Sequence, residues 1–104
     1  MEFEFDEKKS DGNKQKHGLN FYEAQILFFD NNALQLKTLT VDEERRYLLI
    51  AMLENKHWSL IFTIRELESG EGFTNKIRII SARRSRQKER DLYEKNKTDS
   101  TRIG

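Results

Sequence analysis

The 104-residue sequence contains no cysteine, which excludes disulfide scaffolds, thiol nucleophiles and cysteine-built zinc sites. Its two histidines, His17 and His57, are too few for a histidine metal site, so neither metal nor cofactor is expected. No apolar run approaches the roughly 18–20 residues that cross a bilayer, which argues against a membrane protein. The opening residues Met-Glu-Phe-Glu-Phe-Asp-Glu-Lys-Lys lack the basic-then-apolar order of a secretory signal, and the expected location is the cytoplasm. Internal repeats and low-complexity stretches are also missing. Apolar residues make up 36% and charged residues another 36%, which leaves little material for a core. Seven Phe, three Tyr and one Trp must supply much of it. Residues 1–96 are expected to form one domain, followed by a disordered polar tail over 97–104.

The formal net charge is only +1, but its distribution is uneven. Nine basic residues stand between Lys76 and Lys97 against three acids, whereas the first eleven residues carry five acids and two lysines. A basic end on a near-neutral chain points to a polyanion or an acidic partner.

Glu2 to Phe5 alternates and predicts a short strand with Phe3 and Phe5 turned to a core. Asp6 offers an N-cap to a helix that is polar all round and contains Gly12; Lys16, His17 and Gly18 suit its end. Asn20 and Glu23 form a capping box for a buried helix over residues 21–29, with Asp30-Asn31-Asn32 as a turn. Leu34 to Leu36 predicts a strand, and Tyr47 to Leu53 a central strand covered on both sides. Trp58 to Arg65 alternates, Ser69 to Gly72 is a hairpin turn, and Lys76 to Ala82 is the next strand. A charged helix runs from Arg83 to about Asn96, with Leu92 and Tyr93 as its sizeable apolar anchors. The order predicts an α+β fold: a small antiparallel sheet with two N-terminal helices and one C-terminal helix, the helices on one face.

Phe5-Asp6, Lys9, Asn13, Lys16-His17-Gly18, Phe21 and Glu23-Ala24 stand in the order that opens the BrnT toxin family, and the chain resembles that family from there on. Glu44-x-Arg46 (or Glu43-x-Arg45), Thr63-x-Arg65, the block Arg78-Ile79-Ile80-Ser81-Ala82-Arg83, then Glu89-Arg90 and Tyr93 continue the resemblance over residues 2–94. Phe5 stands where the family usually has tryptophan, and Ala51 where glycine is frequent. The resemblance implies a RelE-like ribonuclease toxin of a type II toxin–antitoxin module, neutralised by a BrnA-type antitoxin. The antitoxin alone would bring operator DNA. It implies cleavage of RNA without a metal, and either a homodimer or a hetero-oligomer with the antitoxin. The alternatives are a catalytically silent subunit that binds antitoxin for operon control, and an RNA-binding module without cleavage.

Cleaving RNA through its own 2′-hydroxyl needs a base, cations for the charge that grows on the phosphorane, and an acid for the leaving 5′-oxygen. Arg65 and Arg83 end apolar strands, where a guanidinium can clamp two phosphate oxygens or pair with Glu44 or Asp6. His17, whose imidazole can act as acid or base, is with Lys16 either acid–base machinery or a helix ending. Glu44 is a base candidate or half of a turn salt bridge with Arg45 or Arg46. Arg78, Ser81, Arg84, Arg86 and Arg90 are the expected RNA contacts, and Tyr93 stacks on a base, donates a proton or packs on the sheet. Everything in this reading requires Arg65 and Arg83 to converge in one pocket.

Overall fold

Five strands and three helices follow one another in the computed structural model, which describes residues 2–103 apart from the side chains at 39, 69 and 100–103. Strand β1 (Glu2–Glu4) leads into helix α1 (Glu7–His17), helix α2 (Phe21–Ala24) and a 3₁₀ stretch (Gln25–Phe29). Strands β2 (Leu34–Val41), β3 (Glu44–Leu53), β4 (Lys56–Ser69) and β5 (Gly72–Arg84) come next, and helix α3 (Gln87–Ile103) closes the chain. The expected order of elements therefore holds. The buried helix differs: its second half tightens to 3₁₀.

The sheet has strand order β1-β5-β4-β3-β2. Strands β2 to β5 form an antiparallel meander whose hairpins close at Val41↔Glu44, Leu53↔Lys56 and Ser69↔Gly72. Each loop is therefore two residues long. In the first two, both loop residues take positive φ (Asp42 49°, Glu43 66°, Glu54 52°, Asn55 64°), the turn sense that matches strand twist. Such short loops fix register, and with it the neighbours of every side chain.

Two expectations about the sheet need correction. It is mixed, because β1 pairs parallel with β5 in the register Glu2↔Lys76, Phe3↔Ile77 and Glu4↔Arg78. A three-residue strand advertises its buried side but not the direction of a neighbour at the far end of the chain. The helices also lie on both faces. Leu19, Phe21, Ala24 and Leu27 pack with Trp58, Leu60 and Phe62 of β4, with Leu49 and Ala51 of β3, and with Ile79 and Ala82 of β5. The opposite face meets α3, where Ser59 Oγ donates to Glu89. Strand β4 is central and β3 lies beside it. Even so, Ile50 and Ala51 are both fully buried, as two-sided cover of β3 requires.

Helix α1 docks without an apolar stripe. Ser10 Oγ accepts from Phe21 N at 2.9 Å. Asn13 Nδ2 donates to Leu19 O (2.7 Å) and Ala82 O (2.8 Å), while Ala82 N donates to Asn13 Oδ1. Buried backbone groups thus find partners on a polar helix. The predicted caps are present: Asp6 accepts from Lys9 N, Asn20 and Glu23 form the box, and Gly18 takes φ 86°. Helix α3 does not stop near Asn96. It contains neither glycine nor proline and continues to Ile103, so 97–103 is helix rather than tail, and residue 104 lies outside the described residues.

Candidate functional site

Alternation along β4 turns Ser59, Ile61, Thr63 and Arg65 to the face that carries α3. Register carries that assignment to the neighbours. Arg46↔Thr63, Thr63↔Arg78 and Arg78↔Glu4 lie in one row across β3, β4, β5 and β1. The next row brings Arg65↔Lys76 and Lys76↔Glu2 together. Between Thr63 and Ile61 the β5 register slips by one residue, Phe62 facing Ile79 and Ile61 facing Ser81. That bulge returns Ala82 to the core and leaves Ser81 and Arg83 on the α3 face.

Helix α3 covers only one end of this face. At the covered end, Arg83 Nη1 and Nη2 each donate to Glu89 at 2.8 Å, a bidentate pair. Ser59 Oγ and Arg86 N donate to the same carboxylate, and Ser59 and Ser85 hydroxyls bond each other. The Arg83 bonds, assisted by Arg86 N–H and Ser59, outweigh burial and hold the Glu89 carboxyl down at about 2. Further along the helix, Tyr93 is 1% exposed, meets His57 edge-on and donates to Asp30 Oδ2 at 2.7 Å. Burial works to raise the Asp30 carboxyl. The N–H groups of Met52 and Asn32 and the Tyr93 hydroxyl outweigh it and hold the group low.

The uncovered end carries the cations. Arg65 and Arg78 side chains are 45% and 37% exposed, and Glu4 stands between them with Oε1 3.1 Å from Arg65 Nη1 and 3.9 Å from Arg78 Nη1. Arg46 Nε is shielded from solvent and makes no hydrogen bond among the described residues. Arg46 and Arg78 thus flank the buried Thr63 in register, with Arg65 one row away and Glu4 among them, and make this end of the face cationic and open. No group of three or more His, Asp or Glu side chains suited to a metal ion occurs among the described residues.

Arg65 and Arg83 are on the same face but do not share a pocket. Arg83 pairs with Ser59 in register, six positions along β4 from Arg65, which is roughly 20 Å of strand. Arg83 is bound to Glu89 rather than to Glu44 or Asp6, and Arg65 to Glu4. Arg78 does join Arg65. Ser81 lies further along β5, toward the helix. Glu44 begins β3 at an exposed position of the same parity as Arg46. Lys16 is exposed and His17 half-buried at the end of α1, on the other side of the sheet. Arg84 also points to that side, its guanidinium 5.6 Å from the Trp58 ring centre. Arg86 is exposed at the start of α3, and Arg90 donates to Gln87. Tyr93, with its hydroxyl engaged and its ring buried, packs on the sheet and presents no free face. A cleft of about 240 Å³ between α1, the 3₁₀ stretch and the β3–β4 turn is lined by Lys14, Leu19, Ile26, Leu53, Lys56 and Trp58, among others, and contains no predicted site residue.

Glu4, Glu89 and Asp30 do not stand out in the sequence as site residues. Glu4 was legible as the outward residue of an alternating strand, and Glu89 as the third residue after a helix start. Their partners come from distant strands, and no local pattern names those.

Residues 5–89 match the model of a family described as "Ribonuclease toxin, BrnT, of type II toxin-antitoxin system". No curated protein matches the chain.

Proposed function

The chain belongs to the BrnT family of ribonuclease toxins of type II toxin–antitoxin systems, which implies an RNA target and a protein antitoxin, and on that premise we propose where and how it acts. RNA lies along the uncovered end of the α3 face. Arg65, Arg78 and Arg46 hold its phosphates, and a carboxylate of the same face starts attack by the 2′-hydroxyl. The products are a 2′,3′-cyclic phosphate and a 5′-hydroxyl, and no metal takes part. The antitoxin is of the BrnA type, the fold is RelE-like, and the protein works in the cytoplasm.

One observation carries this reading: the register sets Arg46, Thr63 and Arg78 in line, with Arg65 one row away. Guanidinium forks suit phosphate oxygens, and an open face admits a chain where a closed cavity would not. Charge developing on the phosphorane oxygens is stabilised by donors already in place. Arg83 has no part in it, because its fork is filled by Glu89.

The test is RNA binding and cleavage by the full chain at several salt concentrations. Each of Arg46→Ala, Arg65→Ala and Arg78→Ala is expected to flatten the plot of log affinity against log salt by about 0.7, as loss of one phosphate contact to single-stranded RNA should. Cleavage should persist in excess chelator. Induced Arg65→Ala and Arg78→Ala variants should permit bacterial growth where the unaltered chain arrests it. Unchanged slopes and undiminished arrest would remove RNA from this face. Binding to the antitoxin without any cleavage would leave the silent operon-regulating subunit.

A further inference from the structure

We propose that Glu4 is the general base that removes the 2′-hydroxyl proton, a role that rests on the ribonuclease reading above. Of the side chains expected to do acid–base work, Lys16 and His17 lie across the sheet and Tyr93 is buried with its proton committed to Asp30. Among the described residues, the uncovered end of this face offers three carboxylates, Glu2, Glu4 and Glu44, and they are not equivalent. The Glu2 side chain is 67% exposed and only 3.9 Å from Lys76 Nζ. Glu44 is exposed beside a tight turn. The Glu4 side chain is 26% exposed and is held by Arg65 and Arg78 together. The hydrogen bond from Arg65 falls on Oε1, as does the approach of Arg78; Oε2 accepts no hydrogen bond among the described residues and is left to accept a proton.

Position matters as much as orientation. Glu4 and Arg78 are direct neighbours on adjacent strands, about 5 Å apart along the hydrogen-bonding direction. A phosphate clamped by Arg78 and Arg65 therefore sets the ribose on its 5′ side against the Glu4 carboxylate. Glu4 takes the proton from the 2′-hydroxyl as O2′ bonds to phosphorus. The bond from phosphorus to O5′ breaks with its electron pair on oxygen, which takes a proton from water. Glu4 then returns its proton to the hydroxide left behind, so no proton is consumed overall. The two arginines serve twice, fixing the base and neutralising the phosphorane.

The experiment measures single-turnover cleavage of a labelled RNA by the full chain, together with affinity for the same sequence bearing 2′-O-methyl groups. Glu4→Gln keeps the shape and the hydrogen bond to Arg65. It is expected to lower the cleavage rate at least about 100-fold. It should bind the methylated RNA as tightly as the unaltered chain or more so, since it removes a negative charge from the binding surface. The fall in rate on acidification should disappear in Glu4→Gln and persist, at a lower rate, in Glu4→Asp. Glu2→Gln should stay within threefold of the unaltered chain. Cleavage by Glu4→Gln within threefold of normal, with Arg65→Ala and Arg78→Ala inactive, overturns Glu4 and leaves the RNA face standing. Loss of the acid limb in Glu44→Gln alone transfers the role to Glu44 and also overturns it. An unaltered chain that neither binds nor cuts RNA overturns both readings.

Discussion

Glu89 shows how one side chain can decide what another is free to do. Its carboxylate receives four hydrogen bonds, two of them from Arg83, and so fastens the first turn of α3 to β4 and β5. An isolated strand-end arginine is a good phosphate ligand; one with a bidentate partner is a clasp. Because the folded carboxyl ionises near 2 against 4.5 when unfolded, its stabilisation is complete above about pH 4.5 and drains away as pH falls toward 2. Glu89→Gln is expected to cost on the order of 2–3 kcal/mol at pH 7. In urea titrations the gap between the variant and the unaltered chain should narrow markedly at pH 3. A gap of equal size at both pH values would show that the clasp acts through shape rather than charge.

At the scale of elements, α1 carries a defect that is open to repair. Gly12 sits inside the helix with open space where a methyl group would stand, nothing lying within 4 Å of that position, whereas Gly18 holds φ 86° at the helix end. Gly12→Ala is expected to raise stability by about 0.5–1 kcal/mol, and Gly18→Ala to lower it by about 1 kcal/mol, both read from denaturant midpoints. The caps of α1 and α2 were legible because a cap is a local contract between residues three apart. The way α1 docks was not legible, since Ser10 and Asn13 are ordinary polar residues until Phe21 and Ala82 arrive beside them. Alternation in β4 declared both faces correctly, with Trp58, Leu60 and Phe62 inside. What it withheld was register. Arg78 and Arg65 appeared as separate strand residues, and Arg83 appeared to be Arg65's companion. The hairpin loops and the bulge at Ile80 settle which arginines meet, and loops built from Asp-Glu and Glu-Asn do not announce the turn as Asn-Gly would.

For the molecule as a whole, one sheet separates two environments. The α1 face is buried in apolar side chains, and the α3 face is half covered and half charged. A net charge of +1 conceals this division, and the long basic run near the C-terminus misdirects attention to the helix. That run is split by the fold: Arg78 joins the open face, Arg83 is clasped, Arg84 lies on Trp58 across the sheet, and only the later members ride on α3. The exposed helix cations should therefore matter little to RNA. A variant with Arg86→Gln, Lys88→Gln and Lys95→Gln together should keep its melting behaviour and a salt slope close to that of the unaltered chain, because none of the three lies in the arginine rows. If these residues instead track the phosphates, the slope falls by about 2, three contacts' worth, while Arg65→Ala leaves it unchanged. The two outcomes differ by far more than the error of a titration and assign the RNA to the sheet or to the helix.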